Sequence, residues 1–126
     1  MQQTVIIADD AQFMRVMLRD ILDDLGYRVV AEAVDGRQAV ARYLEHTPDL
    51  VMLDITMPDI DGVEACRQIL AHEPSARIVM ISALGQKDEV LAAVRAGAED
   101  FVIKPFESER VEETLRKLTA RQAQTS

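Results

Sequence analysis

The stretches "DLVMLD" and "ARIVMIS" each carry four consecutive apolar residues with no polar residue between them. A strand with one wet face alternates apolar with polar, so unbroken runs of this kind belong to strands covered on both sides. "TVIIADD" repeats the pattern and closes on two adjacent aspartates. Five segments read as strands: Thr4 to Ala8, Arg28 to Ala33, Leu50 to Asp54, Arg77 to Ser82 and Phe101 to Lys104. The second, "YRVVAEAV", is mixed, as suits a sheet edge.

Helical spacing fills every gap between these runs. Phe13, Met14, Met17, Leu18, Ile21 and Leu25 place a first helix from about Gln12 to Leu25, stopped by Gly26. A second starts after Asp35-Gly36 and ends before Pro48, and a third spans about Gly62 to His72. The fourth, "QKDEVLAAVRAG", stops at Gly97. The fifth, "SERVEETLRKLTARQ", has Val111, Leu115 and Leu118 on one stripe and Ser108 as its expected N-cap, with "AQTS" fraying beyond it. Strict alternation implies an α/β fold: a single doubly wound, five-stranded parallel sheet with right-handed crossovers and five helices on its two faces.

With 126 residues, 48% of them hydrophobic, the chain can bury one sizeable core. Its net charge of -8 argues against nonspecific contact with nucleic acid or an anionic membrane surface. No apolar stretch reaches the roughly 18 residues of a membrane span, and no signal pattern precedes the first strand. The single cysteine, Cys66, reads as a packing residue in a reducing compartment. The six methionines read as core filling, and His46 and His72 as surface residues near helix ends. The expected protein is a cytoplasmic monomer.

In sheets of this class ligands bind beyond the carboxyl ends of the strands. Asp9 and Asp10 follow the first strand, Asp54 ends the third, Ser82 ends the fourth, and Lys104-Pro105 ends the fifth. One aspartate suffices to cap a helix; three carboxylates, a hydroxyl and an ammonium on one edge need another reason. Oxygen-only ligands attract a hard cation such as Mg²⁺, and no His or Cys cluster invites zinc. A cation, an ammonium and a hydroxyl together suit phosphoryl chemistry, with a carboxylate as nucleophile. Asp54, on the central strand, is the best placed. No phosphate-cradling glycine loop points to a nucleotide donor.

These residues resemble the receiver domains of two-component response regulators, over nearly the whole chain from Val5 to Leu118. The likeness rests on Asp9-Asp10, "LDITMPDIDG" around Asp54, "ISA" with Ser82 and "FVIKPF" with Lys104-Pro105. It is strongest toward the single-domain chemotaxis regulators, through "DDAQFMR", "DITMPDIDG" and "SALGQ". The resemblance implies a flavodoxin-like strand order 2-1-3-4-5, a receiver domain over residues 1–120 and a short tail over 121–126. It implies that Asp54 accepts a phosphoryl group from a phosphohistidine on a histidine kinase. Mg²⁺ would be held by Asp10, Asp54 and the carbonyl of Thr56, with Asp9 assisting mainly through water. Lys104 would contact Asp54 and then the phosphoryl group, across a cis Lys104-Pro105 peptide. Ser82 would be the switch hydroxyl and Phe101 the ring that turns behind it. Position 101 is Phe rather than the Tyr of the best-known chemotaxis member, and Ser82 stands for the commoner Thr.

The implied function is a phosphorylation-activated signalling switch, not an enzyme, that loses its phosphoryl group slowly by itself. Its output would be an output protein such as a flagellar motor switch protein, or a phosphatase, bound through helix four, strand five and helix five near Lys87, Val90, Phe101 and Ile103. A receiver of another pathway, such as transcription control, is the alternative. A Mg²⁺-dependent phosphatase and a flavin-binding protein share the fold class, but no cap domain accompanies the first.

Overall fold

The structure, a computed structural model, describes the backbone of residues 2–125 and the side chains of residues 2–120. Five strands alternate with five helices along the chain. The strands are β1 (Thr4–Ala8), β2 (Arg28–Ala33), β3 (Leu50–Asp54), β4 (Ile78–Ser82) and β5 (Asp100–Ile103). The helices are α1 (Gln12–Asp24), α2 (Gly36–His46), α3 (Gly62–His72), α4 (Lys87–Ala96) and α5 (Ser108–Thr125). All strand pairs are parallel, in the order β2-β1-β3-β4-β5, with an irregularity between Val5 and Ile6 where β1 meets β2.

The apolar runs resolve into two interleaved faces, because successive side chains on a strand point to opposite sides. Along β3, Val51 and Leu53 join the core under α2, α3 and α4, with Ala39, Val40, Val63, Cys66, Ile69 and Ala93. Leu50 and Met52 join the opposite core under α1 and α5, with Leu18, Leu22, Val111, Leu115 and Leu118. The expected edge strand β2 is at the edge and largely half-buried. Cys66 is fully buried, and burial pushes its thiol up to about 11, as a packing role requires. Met52 and Met80 are fully buried in the sheet, while His46 and His72 are exposed.

Local signals explain most boundaries. Asp35 caps α2 by accepting from the Gln38 N–H at 2.7 Å, and Asp61 caps α3 by accepting from the Glu64 N–H at 2.9 Å. Gly97, at φ +114°, ends α4 where a side chain would be strained. Three details differ from the sequence reading. Helix α5 begins at Ser108 and the Glu107 carbonyl accepts from Arg110 and Val111, so Glu107, not Ser108, holds the N-cap position. The helix runs on to Thr125 through the segment that reads as a frayed tail, and Ser126 lies outside the described residues. Strands β4 and β5 each sit one residue away from their expected starts, since Arg77 gives its carbonyl to Val51 but turns its guanidinium to Glu99.

Gly62 matters for the edge where the acids gather. The first turn of α3 lies directly on the backbone of Asp54, and a Cβ on Gly62 would overlap the Asp54 carbonyl oxygen. Gly62 also donates its N–H to the Ile55 carbonyl at 2.8 Å. Gly62→Ala should therefore destabilise the fold by about 1–3 kcal/mol, the usual cost of overpacking. Urea unfolding checks this; a loss within about 0.5 kcal/mol, the range of a neutral surface substitution, would show that α3 can lift away freely.

Candidate functional site

Parallel pairing carries the carboxyl ends of β1, β3, β4 and β5 to one edge, and every singled-out polar residue stands there. Asp9 and Asp54 are buried, at 2% and 4% exposure, whereas Asp10 is exposed. One carboxylate oxygen from each of the three lies within 4.8 Å of the others. Neither aspartate of the doublet is the N-cap of α1, a position held by Ala11. Asp9 instead accepts from the Ala11 N–H through Oδ1 at 2.9 Å, which aims its Oδ2 into the edge.

Lys104 reaches in from the end of β5 and places Nζ between two carboxylates. It lies 3.0 Å from Asp54 Oδ2 in a hydrogen bond and 2.9 Å from Asp9 Oδ2 in an ion pair. The second contact lies off the direction of a hydrogen bond, so buried Asp9 Oδ2 has no hydrogen-bond partner among the described residues. The Lys104–Pro105 peptide is cis, as the family resemblance implies, and the Lys104 N–H is tied to the Ser82 carbonyl at 2.8 Å.

Charge and burial compete here. Burial raises the Asp54 carboxyl above its ordinary value of 3.8; the Lys104 hydrogen bond opposes this, and the negative charge of Asp9 adds to it. Burial alone would lower the Lys104 ammonium, but the close contacts and negative charges of Asp9 and Asp54 outweigh it and hold that group above its usual range. Three carboxylates face a single ammonium. An orphaned buried oxygen, an all-oxygen donor set and excess negative charge fit a hard divalent cation of the Mg²⁺ type.

The remaining residues fall where the strand ends predict. Thr56 is exposed beside the site and its N–H donates to Asp54 Oδ1 at 3.3 Å. Ser82 is 2% exposed, and its hydroxyl donates to the Ala83 carbonyl at 2.9 Å. Phe101 is 37% exposed and lines an apolar groove of about 370 Å³ with Lys87, Val90, Leu91 and Ile103. Two side chains escape sequence reasoning. Arg15 donates from Nη1 to the Asp9 carbonyl and from Nε to Glu32, anchoring the turn that carries the doublet. Gln86 crosses from the β4–α4 loop to Thr56. Spacing along the chain gives no sign of either partner.

The sequence profile described as the response regulator receiver domain matches residues 5–116. The chain belongs to that family. It is 51% identical over 117 residues to the chemotaxis protein CheY of Bacillus subtilis, covering 93% of this chain and 98% of the relative. It is 48% identical over 119 residues to CheY of Thermotoga maritima, covering 94% and 99%. Among solved structures, the CheX-CheY-BeF3-Mg complex of Borrelia burgdorferi superposes with a TM-score of 0.88 at 34% identity, covering 93% of this chain and 89% of that one. The response regulator domain of Thermotoga maritima CheB gives 0.84 at 36% identity, covering 100% and 98%. This receiver is thus closely related to CheY chemotaxis regulators and serves phosphorylation-activated signalling; the transcription-control alternative is not favoured. Receivers of this family are phosphoacceptors rather than enzymes, and no helix among the described residues is long and apolar enough to cross a membrane.

The raised Asp54 carboxyl has a measurable consequence. Ionising it costs stability in the folded state. The cost is nil below 3.8, where Asp54 is protonated folded or unfolded, and builds as pH rises from there to the raised folded value. In metal-free buffer at pH 7, Asp54→Asn should therefore melt above the wild type, by roughly 2–6 °C. The gain should shrink on acidification toward 3.8. A mutant that melts at or below the wild type at neutral pH would contradict it.

Proposed function

We propose that this receiver takes a phosphoryl group onto Asp54 from the phosphohistidine of a partner histidine kinase. The observation that supports this most directly is the buried Asp54 carboxylate on the central strand, held by Lys104 and flanked by Asp9 and Asp10. A carboxylate oxygen forms the new O–P bond as the N–P bond of the donor breaks, and the electron pair leaves with the histidine nitrogen. Asp9, Asp10, Asp54 and the Thr56 carbonyl would hold Mg²⁺, which when bound neutralises phosphoryl oxygens. Lys104 moves from a carboxylate oxygen to a phosphoryl oxygen over a short distance, since its ammonium already lies beside Asp54.

Output follows from where the new charge goes. A phosphoryl group adds about two negative charges and three strong acceptors. The Ser82 hydroxyl, now turned to the Ala83 carbonyl of its own loop, is the donor that rotates toward it. That rotation vacates space on β4 beside Phe101, whose backbone pairs with Met80 across the sheet. The groove formed by α4 and β5, together with α5, then changes shape for an output protein, either a flagellar motor switch protein or a phosphatase. Residues 1–120 form the receiver unit, acting as a cytoplasmic monomer in chemotaxis. Loss of the phosphoryl group is slow because neither Thr56 nor the apolar Leu84, 85% exposed at the rim, can activate water.

Acetyl phosphate with Mg²⁺ should add one phosphoryl group, visible by intact mass, to the wild type but not to Asp54→Asn. An equal adduct on the mutant would place the nucleophile elsewhere. Ser82→Ala should accept the group yet lose most of the phosphorylation-dependent gain in affinity for the motor switch protein. A gain equal to that of the wild type would remove Ser82 from the relay.

A further inference from the structure

Gln86 stands at the N-cap position of α4, but its side chain makes no capping bond to the helix. The amide is used elsewhere. Nε2 donates to Thr56 Oγ1 at 2.8 Å, spanning 30 residues of chain. Oε1 accepts from the Ala83 N–H at 2.7 Å and from the Ser82 hydroxyl at 3.5 Å. The assignment of the two amide ends is forced, because the Ala83 N–H can only donate and so must face the oxygen.

One side chain thereby ties together the two loops that rim Asp54, and it occupies donors on the β4 side. The Ser82 hydroxyl has one hydrogen, shared between the Ala83 carbonyl at 2.9 Å and Gln86 Oε1. The neighbouring Ala83 N–H is fully engaged. A new anion on Asp54 competes for the same hydroxyl, and the loop cannot turn toward it while Gln86 holds both ends.

We infer that Gln86 is a positioning residue that latches the unphosphorylated state through Thr56, Ala83 and Ser82. This rests on the phosphoacceptor reading above and deepens it. The Ser82 bond to Gln86 cannot coexist with a Ser82 hydroxyl that donates to a group on Asp54, so removing the Gln86 bonds lowers the cost of leaving the state the structure shows and shifts the balance toward the other. Thr56 acts in two ways: its carbonyl would help hold the cation, and its hydroxyl receives the latch.

The test compares wild type, Gln86→Ala, Thr56→Val and the double mutant. Two readouts apply: hydrogen exchange at the Ala83 amide without phosphate, and the rate of Asp54 phosphorylation by acetyl phosphate from intact mass. Gln86→Ala should speed exchange at Ala83 and raise the phosphorylation rate about two- to tenfold, the scale of one or two side-chain hydrogen bonds. Thr56→Val, which leaves Oε1 in place, should give part of the rate gain, and the double mutant should match Gln86→Ala rather than multiply the two effects. Unchanged exchange, an unchanged or slower rate in Gln86→Ala, or independent effects in the double mutant would each overturn the latch. A wild type that forms no Mg²⁺-dependent adduct defeats the phosphoacceptor reading instead, and the exchange data still report whether the latch bond exists.

Discussion

The Lys104 ammonium between Asp9 and Asp54 is the contact on which the rest of the molecule depends. Its side chain is 18% exposed, and the two carboxylates are 3% and 6% exposed. Two buried carboxylates this close repel strongly, and solvent cannot screen them. The ammonium offsets one charge and leaves the edge negative. That residual charge suits the edge to a divalent cation, while burial, reinforced by the negative charge of Asp9, raises the Asp54 carboxyl above its ordinary value. Burial that would be a defect in a structural ion pair keeps the Asp54 carboxylate out of bulk solvent, as the proposed phosphoryl transfer requires.

Holding such a pair in place requires a stiff frame. Strands β1 and β3 are buried almost throughout, and adjacent pairing sets the spacing of Asp9 from Asp54. The loops that follow are pinned individually. Arg15 binds the Asp9 carbonyl and, with Arg19, the Glu32 carboxylate on β2. Arg37 on α2 clamps Asp59, a residue at φ +69° in the loop after Asp54. Glycine at 36 and 62 lets α2 and α3 approach that loop closely enough to fix it. These contacts pin the loops after β1 and β3, while the exposed residues of the groove lie on the β4–α4 side.

Two arrangements of that side are what a switch needs. Buried Ser82 and half-exposed Phe101 sit on adjacent strands and line the same groove. Moving a two-state balance from mostly one form to mostly the other takes roughly 5.5 kcal/mol of difference between them. A few charge-assisted hydrogen bonds in a partly dry site supply that scale. The Gln86 bonds act on the opposite pan, favouring the unphosphorylated loop.

The architecture, and the gathering of acidic and basic side chains at one edge, are legible along the chain. Unbroken apolar runs such as Leu50–Asp54 specify strands covered on both faces, and strict alternation with helices specifies parallel pairing. Parallel pairing then brings all strand ends to one side, so Asp9, Asp10, Asp54, Ser82 and Lys104 were bound to meet. How each side chain uses its hydrogen bonds is settled only by the packed fold. The doublet divides into a buried Asp9 and an exposed Asp10, neither capping α1, because the β1–α1 turn inserts Ala11 before the helix. Ser108 yields the N-cap to Glu107 because α5 starts one residue earlier. Arg15 finds Glu32 across 17 residues and Gln86 finds Thr56 across 30, through loops whose path is set by the packed helices. Hydrophobic periodicity is a local, repeated signal and can be read along a chain. A single long-range hydrogen bond depends on where two loops come to rest, and that is fixed only once the core beneath them has packed.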